Sequence, residues 1–232
     1  MFAGLGYNVH IMVVDAPRIA AFFDMDKTLL RIDSGMSWTK FMYRRGELPK
    51  RTLAKAVYWS TLYKLALLDM ESVFTRLCAN LTGDSEAELR RTCELWYQQD
   101  VAHNVAAQGR AAIAAHRAAG HVIVLATGST QYAAAPVARG EAIEHVLSSR
   151  LEVVDGIFTG RPAGFGFGTH KVALAENFAH QHNIDLRRSH FYSDSYNDLP
   201  MLLRIGTAIA VNPDIRLKRH AQQSGWRIEN WS

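Results

Sequence analysis

The chain has 232 residues, of which 48% are hydrophobic and 21% charged, and its formal net charge is +4. This composition is that of an ordinary globular protein, and the length suffices for one large core and a small second domain. The basic residues form no concentrated stripe with interleaved aromatic rings, which argues against a nucleic-acid partner. The two cysteines, Cys78 and Cys93, lie in helical patterns and indicate neither a disulfide framework nor a zinc site.

The first 17 residues precede the first predicted strand. They contain no basic region before their short apolar stretch, so we predict no signal peptide and a cytoplasmic location. We also expect residues 1–11 to be dispensable, with Met12 as an alternative start of the chain.

Two carboxylates end the first predicted strand, at 19–24. Asp24 and Asp26 are separated by one residue and lie where an open α/β sheet binds its ligands, at the carboxyl end of a buried strand. Crowded carboxylates repel each other, so the pair requires a cation that holds both ionised or a proton that neutralises one. The first arrangement suits a phosphoryl-accepting nucleophile and the second a general acid. Capping of the following helix is the alternative for such a pair.

A long block, 33–104, has helical periodicity and few strand signals, which predicts a helical cap inserted after the first strand. Within it, 56–68 is apolar on most sides but too short to span a bilayer, which takes about 20 residues. We therefore expect no stable membrane insertion. A buried cap helix is favoured for this run, and peripheral contact with lipid is the alternative.

The second half of the chain again shows strands that end in polar residues. The run at 121–126 is followed by Thr127 and Gly128, whose hydroxyl and N–H could donate to a phosphoryl oxygen. A plain turn with Ser129 as helix N-cap is the alternative. A further strand at 144–148 precedes a predicted hairpin, 151–159, with an Asp-Gly turn.

Lys171 lies in the first turn of a predicted helix, where a cation opposes the helix dipole. A lysine aimed at a phosphoryl group and a carboxylate would explain this placement, and an exposed side chain is the alternative. The glycines between 160 and 168 are expected to form a mobile connection to this helix.

A last group of carboxylates follows a predicted strand at 188–193. Asp194 offers a hard oxygen ligand for magnesium, whereas Asn197 and Asp198 also fit the capping of a helix start. A final strand is predicted at 207–211.

Strands that alternate with helical patterns predict a doubly wound, mainly parallel α/β sheet of the Rossmann-like type. We place this catalytic core at 1–32 and 105–232 and the inserted helical cap at 33–104.

Taken in order, four motifs resemble those of the haloacid dehalogenase-like superfamily, in its phosphoserine-phosphatase-type branch. They are Asp24-Met25-Asp26-Lys27-Thr28, Thr127-Gly128, Lys171 and Ser193-Asp194-Ser195-Tyr196-Asn197-Asp198. The resemblance covers roughly 19–32 and 105–228. It implies that Asp24 is the nucleophile and Asp26 the acid and base, while Lys171 neutralises the phosphoryl group. Thr127 and Gly128 would bind that group.

The resemblance also implies a magnesium cofactor. Mg²⁺ would be held by Asp24, Asp194 and the backbone carbonyl of Asp26. Asn197 would face the substrate, and Asp198 would support the site from behind these residues.

Two positions distinguish the chain within the superfamily. Ser193 and Ser195 replace glycines that are usual in the fourth motif, so the loop loses positive-φ freedom but keeps every ligand-type residue. Dehalogenases lack the acid at the position of Asp26, because halide leaves unprotonated whereas an alkoxide needs a proton. The chain therefore resembles the phosphohydrolases.

Substrate choice is expected to depend on the cap. In phosphoserine phosphatases, a glutamate nine residues after the nucleophile recognises the amino group and a cap arginine recognises the carboxylate. The corresponding residues here are Asp33, which is one methylene shorter, and Arg76. Helix capping by Asp33 and a solvated Arg76 are the alternatives. The shorter carboxylate and the apolar cap favour a substrate other than phosphoserine.

These motifs predict a magnesium-dependent phosphomonoesterase that acts on a small phosphorylated metabolite through an aspartyl-phosphate. Three alternatives stay open. They are a phosphotransferase or mutase, a phospholipid-phosphate phosphatase at the membrane surface, and a non-catalytic binding protein on the same fold.

Overall fold

A computed structural model describes residues 16–49 and 69–231 of the chain. The predictions made for residues 1–11, Met12 and 56–68 lie outside the described residues.

Seven strands of the described residues form a single sheet in the order β4-β3-β2-β1-β5-β6-β7. They are β1 (Ala20–Phe23), β2 (Val122–Thr130), β3 (His145–Val154), β4 (Ile157–Gly164), β5 (His190–Ser193), β6 (Thr207–Val211) and β7 (Arg227–Glu229). Adjacent strands are parallel except β3 and β4, which are antiparallel. The predicted mainly parallel fold and its five strands are confirmed. Strand β7 was not predicted, because it is too short to show a periodic pattern of apolar residues.

Eight helices in the described part of the chain surround or extend this sheet. They are α1 (Ser34–Arg44), α2 (Met70–Ala79), α3 (Glu86–Trp96), α4 (Ala107–Ala118), α5 (Gln131–Gly140), α6 (Gly168–Gln181), α7 (Leu199–Arg204) and α8 (Ile215–Gln223). Several begin at capping side chains, since Asp33 accepts from the Met36 N–H and Thr130 from the Ala133 N–H. The predicted N-cap role of Ser129 is therefore wrong, because Thr130 caps α5.

Strand β1 separates the two larger of three apolar clusters. Ala21 and Phe23 face a core that includes side chains of α4 and α5, whereas Ala20 and Phe22 face a core that includes α6 and α7. All four residues are fully buried, as a central parallel strand with helices on both faces requires. The carboxyl end of β1 is thereby fixed from both sides of the sheet.

The hairpin of β3 and β4 closes through the predicted Asp-Gly turn. Asp155 and Gly156 have φ values of 51° and 77°, the positive values that a two-residue hairpin turn needs. The prediction of a mobile, glycine-rich connection is wrong, because residues up to Gly164 belong to β4, which pairs with β3 at the edge of the sheet. Glycines and Pro162 weaken a strand signal, yet an edge strand tolerates them.

Helices α1 to α3 lie between β1 and β2 in the chain, and part of this region packs on the hairpin. The backbone of Phe158 in β4 donates to the carbonyl of Asp84 and accepts from Gly83 N–H, both at 3.0 Å. Cys78 and Cys93 are buried, form no disulfide bond and lie in an apolar cluster that also contains Phe158. The helical segment is therefore joined to the sheet by backbone bonds and by a small core.

No helix among residues 16–49 and 69–231 is both long enough and apolar enough to cross a bilayer.

Candidate active site

Three adjacent strands end in the polar residues singled out in the sequence. Asp24 follows β1, Thr127 lies in β2, and Asp194 follows β5. Because β2, β1 and β5 are neighbours and parallel, their carboxyl ends meet at one edge of the sheet. The Asp24 N–H donates to the Tyr192 carbonyl at 2.9 Å, which continues the pairing of β1 and β5 up to the site.

A tight turn at 25–29 carries the second carboxylate out of β1. The Leu29 N–H donates to the Asp24 carbonyl at 3.2 Å, and Lys27 adopts a left-handed φ of 52°. Asn212, after β6, donates through Nδ2 to the Lys27 carbonyl at 3.1 Å and so holds the strained residue. Asp24 makes no capping hydrogen bond here, which leaves its carboxylate for other partners.

Lys171 is the central cation of the site. Its side chain is only 3% exposed, and Nζ lies 2.9 Å from Asp24 Oδ1 and 2.8 Å from an Asp198 carboxylate oxygen. Burial alone would lower the pKa of Lys171, but the charges of Asp198 and Asp24 outweigh it and raise the pKa above its usual value. The lysine therefore stays protonated, and its position in the first turn of α6 is explained by two carboxylates.

Opposing electrostatic effects act on the pKa of Asp24. Burial and, to a smaller extent, the charges of Asp198 and Asp26 raise the pKa of Asp24 to about 7, against the opposing effect of the Lys171 ammonium. The Asp24 carboxylate is thus ionised only with the help of nearby positive charge.

Asp26 has a different set of partners. Its Oδ1 accepts from the Ser34 N–H at 2.6 Å, and its Oδ2 accepts from Ser34 Oγ at 2.9 Å and from Ser129 Oγ at 3.4 Å. Burial raises its pKa to about 6, helped by the charge of Asp33, while the bonds from Ser34 act against the shift. Asp26 is therefore a carboxyl group that takes up a proton near neutral pH.

The loop after β5 supplies the remaining carboxylates. Ser193 is fully buried, and its Oγ donates to Asp198 at 2.8 Å while accepting from the Ser195 N–H at 3.2 Å. Ser195 has a φ of −111° and its Oγ accepts from the Asn197 N–H, so this position does not need the positive φ that glycine would permit. The two serines build the loop by side-chain hydrogen bonds instead. Asp198 bonds Lys171 and makes no capping bond to α7.

Asp194 is surrounded by negative charge. Burial raises its pKa well above the usual value, and the charge of Asp24 acts in the same direction, while Lys27 opposes the shift. Its backbone carbonyl accepts from the Asp214 N–H at 2.8 Å, which fixes the loop against the start of α8.

Thr127 and Gly128 lie where the regular pairing of β2 with β3 is interrupted. Thr127 is buried, and its Oγ1 accepts from the Ser129 N–H at 3.1 Å. The Gly128 carbonyl accepts from Ser149 Oγ, which in turn accepts from the Gly166 N–H. A Cβ on Gly166 would lie 2.5 Å from the Thr127 carbonyl oxygen. The backbone of Gly166 therefore packs so closely against that of Thr127 that only glycine fits at position 166.

The two residues predicted to select the substrate have other contacts. Asp33 Oδ2 pairs with Lys27 Nζ at 3.0 Å, and its Oδ1 accepts from the Met36 N–H at the start of α1. Arg76 is exposed on α2, and its charge helps to lower the pKa of Asp69 after the Ser72 hydrogen bonds. Asp33 thus lies at the edge of the cluster of site carboxylates, where it pairs with Lys27. Arg76 shows no contact with that cluster.

Sequence reasoning missed Ser34 and Lys27, and it gave Ser129 a different role. Ser34 and Ser129 are 8 and 103 residues from Asp26, the residue that they contact. Such contacts leave no periodicity or motif in a single sequence. One signal was available, because Ser129 directly follows Thr127 and Gly128 and its hydroxyl can reach the site from that position.

The doubly wound sheet, with buried carboxylates and one buried lysine at its carboxyl edge, defines an α/β enzyme with an aspartate-based site. The model of the haloacid dehalogenase-like hydrolase family matches residues 21–203. The chain therefore belongs to this family and is a hydrolase of the predicted class.

Relatives and a solved structure agree with this membership. A probable phosphatase of Mycobacterium tuberculosis is 32% identical over 218 residues, which cover 93% of this chain and 76% of the relative. A phosphoserine phosphatase of the same organism is 34% identical over 217 residues, covering 91% of this chain and 70% of that protein. The crystal structure of a protein of unknown function from Bordetella pertussis has a TM-score of 0.85 at 29% identity, covering 94% of this chain and 100% of that one.

Proposed function

We propose that the chain is a phosphomonoesterase that transfers the phosphoryl group first to Asp24 and then to water. One observation carries the proposal. Two neighbouring carboxylates have different partners, since Asp24 is paired with the Lys171 ammonium and Asp26 accepts hydrogen bonds from serines. The first environment favours an anionic nucleophile, and the second a group that gives and takes a proton near neutral pH. Relatives named as phosphatases support this choice.

In the first step the Asp24 carboxylate attacks phosphorus in line with the departing oxygen. Lys171 balances charge on the phosphoryl oxygens and on Asp24. The Thr127 hydroxyl accepts from Ser129, and its hydrogen has no acceptor among the described residues, so it is available to a phosphoryl oxygen. Gly128 has no side chain to block that approach. An aspartyl-phosphate forms as the ester P–O bond breaks.

Asp26 supplies and recovers the proton. In its protonated form it donates to the alkoxide oxygen as that oxygen leaves, which makes an ordinary alcohol a competent leaving group. The resulting Asp26 carboxylate then takes a proton from the water that attacks the aspartyl-phosphate. The raised pKa of about 6 suits both transfers, since each form is accessible near neutral pH.

The residues present fit a divalent magnesium ion. Asp24 and Asp194 offer hard oxygen atoms; burial raises the pKa of both carboxyl groups and the charge of Asp24 further raises that of Asp194, and a cation would counter these shifts. Asp24, Asp194 and the backbone carbonyl of Asp26 would hold it. When bound, Mg²⁺ supplies positive charge that keeps both carboxylates ionised and neutralises a phosphate ester.

The segment at 33–104 is proposed to act as the cap, with the core at 1–32 and 105–232. Its described part meets the site through Ser34 and the hairpin through Phe158. A cap in this place excludes water and limits substrate size, which favours a small phosphorylated metabolite.

The proposal is tested by measuring phosphate release from a set of phosphomonoesters with Mg²⁺ and no added acceptor alcohol. We expect release by the wild type, none by Asp24→Asn, and a covalent phosphate or beryllium trifluoride adduct at Asp24. Asp155→Asn is the matched control, because it changes an aspartate at a hairpin turn whose positive φ suits asparagine.

Two results would contradict the proposal. One is substantial activity of Asp24→Asn that is not traced to deamidation. The other is phosphoryl transfer that requires an acceptor alcohol, which would identify a phosphotransferase or mutase.

A further inference from the structure

Three histidines converge at the amino end of the sheet, on the edge opposite to Asp24. His116 lies in the last turn of α4, His121 directly precedes β2, and His190 is the first residue of β5. One ring nitrogen of each lies within 4.8 Å of a ring nitrogen of the other two. All three are partly buried, so they are accessible to small solutes but shielded by the fold.

The contacts among the three rings are short. His116 Nδ1 and His121 Nδ1 are 2.8 Å apart, which places a single shared proton between them. The His190 ring lies 4.6 Å from the His116 ring and 5.5 Å from the His121 ring, measured between centroids. The fold therefore gathers three imidazoles from three separate elements around one point.

Tyr192 fixes the orientation of the first ring. Its hydroxyl lies 2.8 Å from His116 Nε2, and Tyr192 itself stacks on Phe23 at 4.7 Å between ring centroids. With Nε2 bonded to the hydroxyl, the Nδ1 atom of His116 is turned toward His121. A partner on the second nitrogen is the arrangement that orients histidine ligands in metal sites.

The electrostatic state of the group also suits a metal ligand. Burial, followed by the charges of His190 and His121, lowers the pKa of His116 to about 4. Burial and the charge of His121 lower the pKa of His190 as well. A neutral imidazole keeps one ring nitrogen with the free electron pair that a metal ion needs.

We propose that His116, His121 and His190 form a site for a divalent transition-metal ion of the zinc type, separate from the carboxylate site. Three imidazole nitrogens suit Zn²⁺, Ni²⁺, Co²⁺ or Cu²⁺, whereas Mg²⁺ prefers oxygen. The site is independent of the proposed phosphatase activity.

Binding requires a small adjustment. Ligand nitrogens around Zn²⁺ lie about 3.4 Å apart, given Zn–N bonds of about 2.0–2.1 Å in a tetrahedron. The two Nδ1 atoms of His116 and His121 must therefore separate slightly, and each ring must carry its proton on Nε2. For His116 that proton is donated to the Tyr192 hydroxyl oxygen, so no net proton is released.

The fourth ligand position is expected to face solvent. A cleft of about 780 Å³ is lined by His116, His190 and Tyr192, together with residues of β6 and β7. This cleft gives the ion a path to the site and room for a water ligand.

The test uses protein without a polyhistidine tag, titrated with Zn²⁺ in the presence of excess Mg²⁺. We expect one Zn²⁺ per chain, retained in Asp24→Asn because the acidic site is not involved. Single substitutions His116→Gln, His121→Gln and His190→Gln should each weaken binding by about tenfold or more, and Tyr192→Phe by about tenfold.

A second pair of histidines provides the matched control. His145 and His182 lie 4.9 Å apart between ring centroids, without a third histidine in the described contacts. His145→Gln combined with His182→Gln should leave the affinity for Zn²⁺ unchanged. Zinc should also raise the melting temperature of the wild type more than that of His190→Gln.

A spectroscopic measurement on the wild type covers the case in which a histidine variant does not fold. Bound Cu²⁺ should show hyperfine coupling to imidazole nitrogens in its electron paramagnetic resonance spectrum. The proposal is overturned by affinity that is unchanged in folded single variants, by equal loss in the His145 and His182 control, or by a Cu²⁺ spectrum without nitrogen coupling.

Discussion

Ser34 donates to both oxygens of the Asp26 carboxylate, through its N–H to Oδ1 at 2.6 Å and through its hydroxyl to Oδ2 at 2.9 Å. Ser34 is the first residue of α1, so the carboxylate lies at a helix amino terminus, where the dipole favours negative charge. The first residue of α1 thereby orients the group proposed as acid and base and limits the rise of its pKa.

The first prediction concerns proton donation by Asp26. Asp26→Asn should slow formation of the aspartyl-phosphate from alkyl phosphates by about 10²–10⁴-fold, and its formation from p-nitrophenyl phosphate far less, because nitrophenolate leaves without a proton. Ser34→Ala should shift the same ratio in the same direction by a smaller factor, while Ser85→Ala, which removes a hydroxyl that makes no capping bond, should not. Equal losses on both substrates would rule out the acid role.

The second prediction concerns stability and pH. The folded pKa of Asp26 is raised from 3.8 to about 6, so the folded state binds more protons than the unfolded state in this window. The free energy of unfolding of metal-free protein should therefore fall as the pH rises from about 4 through 6. Asp26→Asn should remove part of that decline in denaturant titrations, and Mg²⁺ should stabilise the wild type more at pH 8 than at pH 5. A stability that rises across this window would contradict the electrostatic account.

The third prediction concerns the buried cation. Lys171→Met leaves two buried carboxylates without their partner, so unfolding should become easier by about 3–5 kcal/mol and turnover should be lost. Denaturant titration and phosphate release measure the two effects. Lys218→Met, on the exposed side of α8, is the control and should change neither.

A double variant separates stability from catalysis in this pair. Adding Asp198→Asn to Lys171→Met removes one uncompensated charge and should restore part of the stability without restoring turnover. Recovery of activity in the double variant would show that Lys171 does not act on the phosphoryl group.

The fourth prediction concerns backbone packing beneath the segment that is proposed to bind the phosphoryl group. A Cβ at Gly166 would lie 2.5 Å from the Thr127 carbonyl oxygen and 2.6 Å from the Ser149 nitrogen, and both are backbone atoms that cannot rotate away. Gly166→Ala should therefore destabilise the fold by about 1–3 kcal/mol and reduce turnover. Gly164→Ala, two residues earlier with open space around its Cβ, should be nearly neutral. Similar melting temperatures for the two variants would disprove this reading of the contact.

The fifth prediction concerns the substrate. Asp33 is paired with Lys27 and caps α1, so its charge is already balanced before any amino group arrives. Phosphoserine should therefore be hydrolysed less efficiently than other small phosphomonoesters, and Asp33→Ala should reorder the substrates while costing about 1 kcal/mol for the lost cap. Selective hydrolysis of phosphoserine by the wild type would show that Asp33 leaves Lys27 to bind the substrate.

The sequence predicted the parts of the site that follow strand ends, because a buried strand has an apolar pattern and its last residue locates the edge of the sheet. Asp24, Thr127 and Asp194 were found in this way. A different argument, that a cation in the first turn of a helix opposes the helix dipole, singled out Lys171 and anticipated its carboxylate partner.

Contacts between distant segments could not be predicted from one sequence. The bond from Ser129 to Asp26 and the meeting of His116 with His190 depend on how helices and strands pack, which leaves no local pattern. Ser193 and Ser195 show the same limit of single-sequence prediction. Their side-chain hydrogen bonds build the loop without the backbone flexibility that glycine would have supplied.

The pairing of Lys171 with Asp24 joins positions 147 residues apart, and that of Ser129 with Asp26 joins positions 103 apart. Contacts of such long range form only after much of the chain has been organised, since closing long loops is entropically costly. These two contacts therefore have no local precursor during folding. Recovery of phosphatase turnover after dilution from denaturant would report the completion of the whole sheet, later than any signal from helix formation.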